Sequence, residues 1–380
     1  MQDHDRRRAL VDLATLFLRL GATAFGGPAA HIAMMEAEIV GRRRWLTRDR
    51  FLDYLGVTNL IPGPNSTELA VQIGYARGGW AGLVVAGVSF IAPAALIVMA
   101  IAWVYVRYGR LPQVESILRG LYPVVIAIVA HALWQLGRSA IKSIRLLVFA
   151  VLSVAAIVLG AHELIVLASA GLVNAALAGG ASRTSRASIV GVLAGPPSLI
   201  AVAQGAVPFT LWTLFVTFLK IGAVLFGSGY VLLAFLRADF VERLGWLTER
   251  QLLDAIAVGQ ITPGPLFTTA TFIGFLLGGT AGAIVATVAI FLPAFAFVAA
   301  VGPFVPRLRG SPVAGAVLDG VNVASLALMA VVTWQLARST LVTPAAAVLS
   351  LASLFVLARY SINTSWLVLA GALAGYLLVL

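Results

Sequence analysis

The sequence predicts an all-α polytopic membrane protein built from two homologous halves. Composition is the first observation: hydrophobic residues make up 61% of the 380 residues and charged ones 11%, a balance outside the soluble range. The second is a set of runs without Asp, Glu, Lys or Arg, at 78–106, 164–182, 187–219, 255–306, 339–358 and 360–380. Each approaches or exceeds the roughly 20 residues that cross a bilayer core. The third is internal similarity. With a shift of 201, Gly21, Phe25 and Gly26 meet Gly222, Phe226 and Gly227, Trp45-Leu46-Thr47 meets Trp246-Leu247-Thr248, and Pro62-Gly63-Pro64 meets Pro263-Gly264-Pro265. With a shift of 200, Gly78-Gly79 meets Gly278-Gly279, Pro93 meets Pro293, and Trp134-Gln135-Leu136 meets Trp334-Gln335-Leu336. The halves are 1–186 and 208–380, and 187–207 is a linker or an extra membrane segment. Inverted-topology repeats are the expected arrangement, with about ten transmembrane helices and two re-entrant helical hairpins.

The elements follow in order. A charged start with Arg6, Arg7 and Arg8 precedes an apolar helix over 10–25 that carries Arg19. No cleavage site of the Ala-x-Ala kind follows it, so no cleaved signal peptide is expected. Gly26-Gly27-Pro28 breaks this helix, and a second piece runs to about residue 40. A loop with Arg42, Arg43, Arg44, Arg48 and Arg50 follows. Two arms, 51–60 and 65–75, flank Ile61-Pro62-Gly63-Pro64, and each is too short to span, which predicts the re-entrant hairpin. Spans are expected at 80–106, 111–136, 144–160 and 164–180. The second half repeats the plan: a helix over 209–226 with Lys220, a break at Gly227-Ser228-Gly229, a hairpin about 263–265, and spans at 279–301, 313–336, 345–357 and 365–380. The loop 241–250 carries two Arg against two Glu. That lost positive charge relative to 42–50 points to inversion of the second half.

The candidate site rests on these breaks. Broken backbone at membrane depth belongs where protein buries it or a watery cavity wets it, and a helix N-terminus aimed into such a cavity attracts anions. The expected coordinating set is Gly26, Gly27, Pro28, Gly63, Asn65, Ser66 and Thr67 from the first half. From the second come Gly227, Ser228, Gly229, Gly264, Thr268 and Thr269. Arg19 and Lys220 align across the repeat inside apolar helices, and a buried cation there faces a cavity or a partner. They are expected to neutralise the anion, with interfacial snorkelling or ion pairing to Asp12, Asp53 or Asp254 as the alternative. Glu68, matched by Thr269, is a candidate proton carrier, with Asp53 and Asp254 as further carboxylates. His31 and His131 read as structural. The paired Trp-Gln-Leu-x-Arg-Ser stretches at 134–139 and 334–339 read as interfacial anchors.

The chain has no cysteine, which excludes disulfides and thiolate chemistry. P-loop, His-Glu-x-x-His and Gly-x-Ser-x-Gly motifs are absent, so neither an enzyme nor an ATP-driven machine is expected. The net charge of +11 is assigned to cytoplasmic loops beside the bilayer and not to nucleic acid. No cofactor or metal is expected, and a homodimer is left open. The bottom-up reading is an oxyanion transporter in which one half rocks against the other.

Phe17-Leu18-Arg19-Leu20-Gly21-Ala22-Thr23-Ala24-Phe25-Gly26-Gly27-Pro28 resembles the first signature of the chromate ion transporter family. Trp45-Leu46-Thr47 with Ile61-Pro62-Gly63-Pro64-Asn65-Ser66-Thr67-Glu68 resembles its second. Length and duplication are similar to its long-chain, fused members. The resemblance implies an inner-membrane exporter of chromate, driven by the proton-motive force and conferring chromate resistance. Sulfate, another tetrahedral dianion, is the natural substitute, and the rival readings are an oxyanion importer and a passive anion channel.

Overall fold

A computed structural model describes residues 3–58, 61–109, 111–178, 208–226, 229–301, 312–360 and 362–378. The expectation for 187–207 lies outside these residues. Every regular element among them is helical. In the first half these are α1 (Asp3–Thr23), α2 (Gly27–Glu36, continued as a π-helix over Ala37–Arg42), α3 (Arg48–Thr58), α4 (Asn65–Tyr108), α5 (Pro112–Ala140), α6 (Ile144–Val158) and α7 (Glu163–Ala178). The second half answers one for one. It has α8 (Leu211–Val224), α9 (Leu232–Leu236, continued as a π-helix over Arg237–Arg243), α10 (Glu249–Ile261), α11 (Thr269–Val301), α12 (Pro312–Thr340), α13 (Pro344–Arg359) and α14 (Thr364–Leu378). Four helices, α4, α5, α11 and α12, are long and apolar enough to cross a membrane, and the chain is a multi-pass membrane protein.

Local chemistry sets the ends. Thr248 and Gln251 form a capping box at the start of α10, and Ser143, Thr210 and Thr343 cap α6, α8 and α13 by accepting a backbone N–H three residues on. Gly79 and Gly279 take φ of 60° and 59°, a conformation that glycine adopts without strain. There α4 and α11 double back. Gly74 and Gly82 pack so closely that a Cβ on either would run into the other's carbonyl oxygen; in a straight helix they would stand about 12 Å apart. The short arms therefore fold against the long arms, as Gly274 and Gly282 do in the second half.

Helix packing is symmetric under exchange of the halves. α1 packs on α4 and α8 on α11; α7 packs on α12 and α14 on α5; α6 packs on α12 and α13 on α5. α4 also packs on α11, and α5 on α12, so each pairs with its counterpart from the other half. Small residues allow the closest contacts: Gly120 of α5 lies against Gly371 and Gly375, a Gly-x-x-x-Gly pair on α14, and Gly320 of α12 lies against Ala170 and Gly171 of α7. α4 and α11 run antiparallel where they meet. Gly87 touches Phe295, and Leu83 clusters with Val298, so early residues of one long arm meet late residues of the other.

The chain is thus sorted into two bodies that do not coincide with its halves. A hairpin body holds α1–α4 and α8–α11, and a bundle holds α5–α7 and α12–α14. The apolar core is not symmetric. Leu13, Phe17, Met35, Phe51, Ile73 and Phe90 form a separate cluster among the first-half hairpins. The second-half hairpins instead share one large cluster with the bundle, where Phe240, Leu253 and Ile256 join Tyr122, Val125 and Val368.

Candidate functional site

The breaks bring both halves to one place. Gly26 and Gly27 have φ of 106° and 79°, the left-handed geometry that ends α1 and lets Pro28 start α2. The first residues of α2 open onto a cavity of about 730 Å3 lined by Gly26, Pro28, Asn65, Gly229 and Tyr230 on the hairpin side. From the bundle come His131, Gln135, Arg359 and Thr364. The cavity therefore lies between the two bodies and draws on breaks from both halves. Tyr230, which takes the place of Ala29 in the repeat, sits with its hydroxyl beside Gly27. Gln135 Nε2 is 2.7 Å from His131 Nε2, and the Arg359 guanidinium lies over the Tyr360 ring, 5.6 Å from its centroid. A second recess of about 330 Å3 shares Asn65 and Leu136 with the first and continues to Lys142, Asp319, Asn322 and Ser325.

The two Pro-Gly-Pro breaks cross over. Gly63 has φ of 136° and donates its N–H to Leu225 O at 2.8 Å; Gly264 has φ of 85° and donates to Ala24 O at 2.9 Å. The expectation that these glycine N–H groups serve an anion is corrected. Each instead satisfies a carbonyl at the end of the other half's first helix, an orphan that a broken helix leaves behind. Of the polar residues after the breaks, Asn65 lines the cavity. Ser66 is buried, its Oγ 3.4 Å from His31 Nδ1, and His31 Nε2 is 3.0 Å from Ala24 O. Thr67 is buried, with no partner for Oγ1 among the described residues. Thr268 and Thr269 are turned onto their own chain, donating to Pro265 O and Leu266 O. Gly227 and Ser228 lie outside the described residues.

Arg19 and Lys220 do not line the cavity. Arg19 Nη2 is 2.6 Å from Glu38 Oε1, and Lys220 Nζ is 2.6 Å from Asp239 Oδ1. Glu38 and Asp239 match under the shift of 201, as do Arg42 and Arg243, which bind the same carboxylates at 2.8 Å. Each half thus clasps its first helix to the π-helical end of its second through a cation–acid–cation cluster. Both cations are ion-paired, but to Glu38 and Asp239 and not to Asp12, Asp53 or Asp254. The reason is proximity: once Gly26-Gly27-Pro28 turns the chain back, residue 38 lies beside residue 19.

The carboxylates separate by environment. Glu68 is fully buried, and neither oxygen has a hydrogen-bond partner among the described residues. It lies on α4 one turn after Asn65, against Gly63. Asp254 is also buried but fully engaged, accepting from Tyr105 Oη at 2.6 Å and Tyr122 Oη at 2.8 Å. Asp53, its repeat counterpart, sits half-buried on α3. Sequence reasoning missed Gln135, Tyr230 and Arg359. Its anchor reading suits Trp134 and Trp334, both exposed, while the adjoining Gln135 faces the cavity and Gln335 accepts from Arg237.

Comparison with known proteins agrees with this architecture. The chromate transporter family model matches residues 11–175 and again 212–376. The chain is 32% identical over 368 residues to a chromate transport protein of Cupriavidus metallidurans, covering 96% of this chain and 91% of that one. It is 32% identical over 379 residues to a chromate transport protein of Pseudomonas aeruginosa, covering 95% and 90%. A probable chromate transport protein of Synechococcus elongatus is 31% identical over 337 residues, covering 88% and 86%. No solved structure matches the chain significantly. With two matched segments that together take in both broken hairpins and both sets of bundle helices, the chain belongs to the chromate transporter family, whose named members are transporters and not enzymes.

Proposed function

We propose that this protein is a secondary transporter that exports chromate, a tetrahedral oxyanion, across the inner membrane, drawing on the proton-motive force and so conferring chromate resistance. The observation that carries the reading is the polar cavity between the two bodies, where broken backbone of both halves meets Arg359. The positive end of α2 at Gly26, Gly27 and Pro28 faces the anion. Asn65, Gln135, Tyr230, Thr364 and the backbone at Gly229 supply neutral hydrogen-bonding groups, and Arg359 supplies the charge. Glu68, a buried carboxylate without a donor among the described residues, is expensive as an anion; as the proton carrier it alternates between charged and neutral forms, one turn from Asn65. The halves, 1–186 and 208–380, are inverted-topology repeats, a reading supported by the antiparallel meeting of α4 and α11. Each Pro-Gly-Pro turn with its two short arms is a re-entrant hairpin. Alternating access comes from the hairpin body moving against the bundle, because α6 and α7 pack on the other half and a half cannot rock as a unit.

Uptake of radiolabelled chromate into everted vesicles tests this, with and without a proton gradient. Arg359→Gln is expected to reduce uptake about tenfold or more, the loss of one charge-assisted contact of about 1.5–3 kcal/mol. Glu68→Gln is expected to leave residual flux that no longer responds to the gradient. Wild-type flux that follows membrane potential and ignores the proton gradient would make the protein a passive anion channel. Complete displacement of chromate by equimolar sulfate would shift the substrate to sulfate.

A further inference from the structure

The halves match in sequence and packing but differ in how their second hairpin is seated. α10 is buried continuously from Leu252 to Gln260 and packs on α5, α11 and α14. α3, its counterpart, buries Phe51, Val57 and Thr58 and packs chiefly on α4. The seat of α10 on α5 is marked by two polar contacts: Tyr122 Oη donates to Asp254 Oδ1 at 2.8 Å, and Arg250 Nη1 binds Glu115 Oε1 at 2.8 Å. Under the repeat shift, the face of α5 that α10 covers, including Tyr122 and Val125, becomes the face of α12 with Asn322 and Ser325. α3 has no packing on that face comparable to that of α10 on α5. Asp319, Asn322 and Ser325, three residues apart and so on one side of the helix, line the 330 Å3 recess. Ser325 is 1% exposed, yet its Oγ has no partner among the described residues. The apolar core repeats the asymmetry, since α8–α10 join the bundle core whereas α1–α3 do not, α4 joining it through Ile91, Val98 and Ala102.

We propose that this conformation is one of two related by exchanging the roles of the halves, and that in the other α3 closes onto α12 with Asp53 against Asn322. The inference rests on the transporter reading and gives its second state specific contacts. The recess beside Asn322 is then the space that α3 fills, as α10 fills the equivalent space on α5. The Asn322 amide is a donor in the position where the Tyr122 hydroxyl donates, so an aspartate on the arriving helix meets a hydrogen-bond donor in either state. The same movement withdraws α10 from Tyr122 and opens the cavity toward the opposite side of the membrane. Asp53 and Asn322 act as positioning residues that hold a closed face and do not touch the substrate.

Thiol cross-linking in membranes tests this, because the chain has no cysteine of its own. Asp53→Cys with Asn322→Cys is one pair. Asp49→Cys with Gly315→Cys is a second, the counterpart of Arg250 and Glu115, and a Cβ at Gly315 meets nothing within 4 Å. Arg250→Cys with Glu115→Cys reports the present state. A minor state populated at about 0.1–10% is trapped progressively by an irreversible bifunctional reagent. Cross-links are therefore expected in all three pairs, with the two first-half pairs slower than 250/115 and changed in the opposite sense by a proton gradient. Cross-linking of 250/115 alone, in folded protein under every gradient, would overturn the proposal. The measurement needs no chromate. Cross-links without chromate transport would refute the substrate reading and leave the exchange standing, and transport without 53/322 or 49/315 cross-links would do the reverse.

Discussion

Replacing Asp239 by alanine tests the assignment of the paired clusters most directly. Asp239 is 1% exposed and receives Lys220 at 2.6 Å and Arg243 at 2.8 Å through the same oxygen. Removing one partner of a buried ion pair costs about 3–5 kcal/mol, because a charge remains without compensation. Lys220 is 27% exposed and Arg243 more so, which places the expectation at the lower end, about 3 kcal/mol. Glu38 holds the matching place with its side chain 12% exposed, among Arg19, Arg42 and Arg43 at 2.6, 2.8 and 3.7 Å. Two of those arginines are about half or more in solvent. At about 0.2–1 kcal/mol for each such pair, Glu38→Ala is expected to cost about 1–2 kcal/mol. Unfolding in mild detergent, followed by far-ultraviolet circular dichroism, measures both. Equal losses in the two variants, or a loss below about 1 kcal/mol for Asp239→Ala, would refute the reasoning. A rise in chromate uptake on freeing Lys220 would restore that lysine to the substrate path.

Two further outcomes are expected. Gly120→Ala places a methyl group into the backbone of Gly371 and Gly375; such overpacking costs about 1–3 kcal/mol, whereas Gly137→Ala on the same helix meets nothing within 4 Å and is expected to unfold like wild type or later. At Glu38, outside the four long spans, burial pushes the carboxyl upward but hydrogen bonds from Arg42 and Arg19 outweigh it and hold it below 4.5. The folded form therefore binds its proton later than the unfolded chain, so this contribution is present above pH 4.5 and is lost as pH falls through the lower folded value. The stability difference between wild type and Glu38→Gln is expected to be constant from pH 7 to about 5 and to shrink below it; a difference that grows on acidification would reverse the sign.

Much of this architecture was legible because its markers are local. Hydropathy marks helices, Pro and Gly mark breaks, and a constant shift aligns them, so the arms about Pro62-Gly63-Pro64 and the long arm after Gly79 were placed from sequence. The partners of these elements were not legible. Glu38 and Asp239 match in position but differ in identity, which hid the acid that answers each buried cation. Arg359 closes a helix some 330 residues after Gly26 and has Leu159 as its repeat counterpart, so neither spacing nor symmetry pointed to it. The glycine N–H groups looked available because a sequence does not say which carbonyl will claim them.

Those two glycine hydrogen bonds tie the halves into one unit. Gly63 completes Leu225 and Gly264 completes Ala24, so neither copy of the unit is whole without its twin. Two separate copies of this unit, paired self-complementarily, would exchange the same two bonds. Inside one chain the two copies need not match, and Glu68 stands opposite Thr269 and Arg359 opposite Leu159.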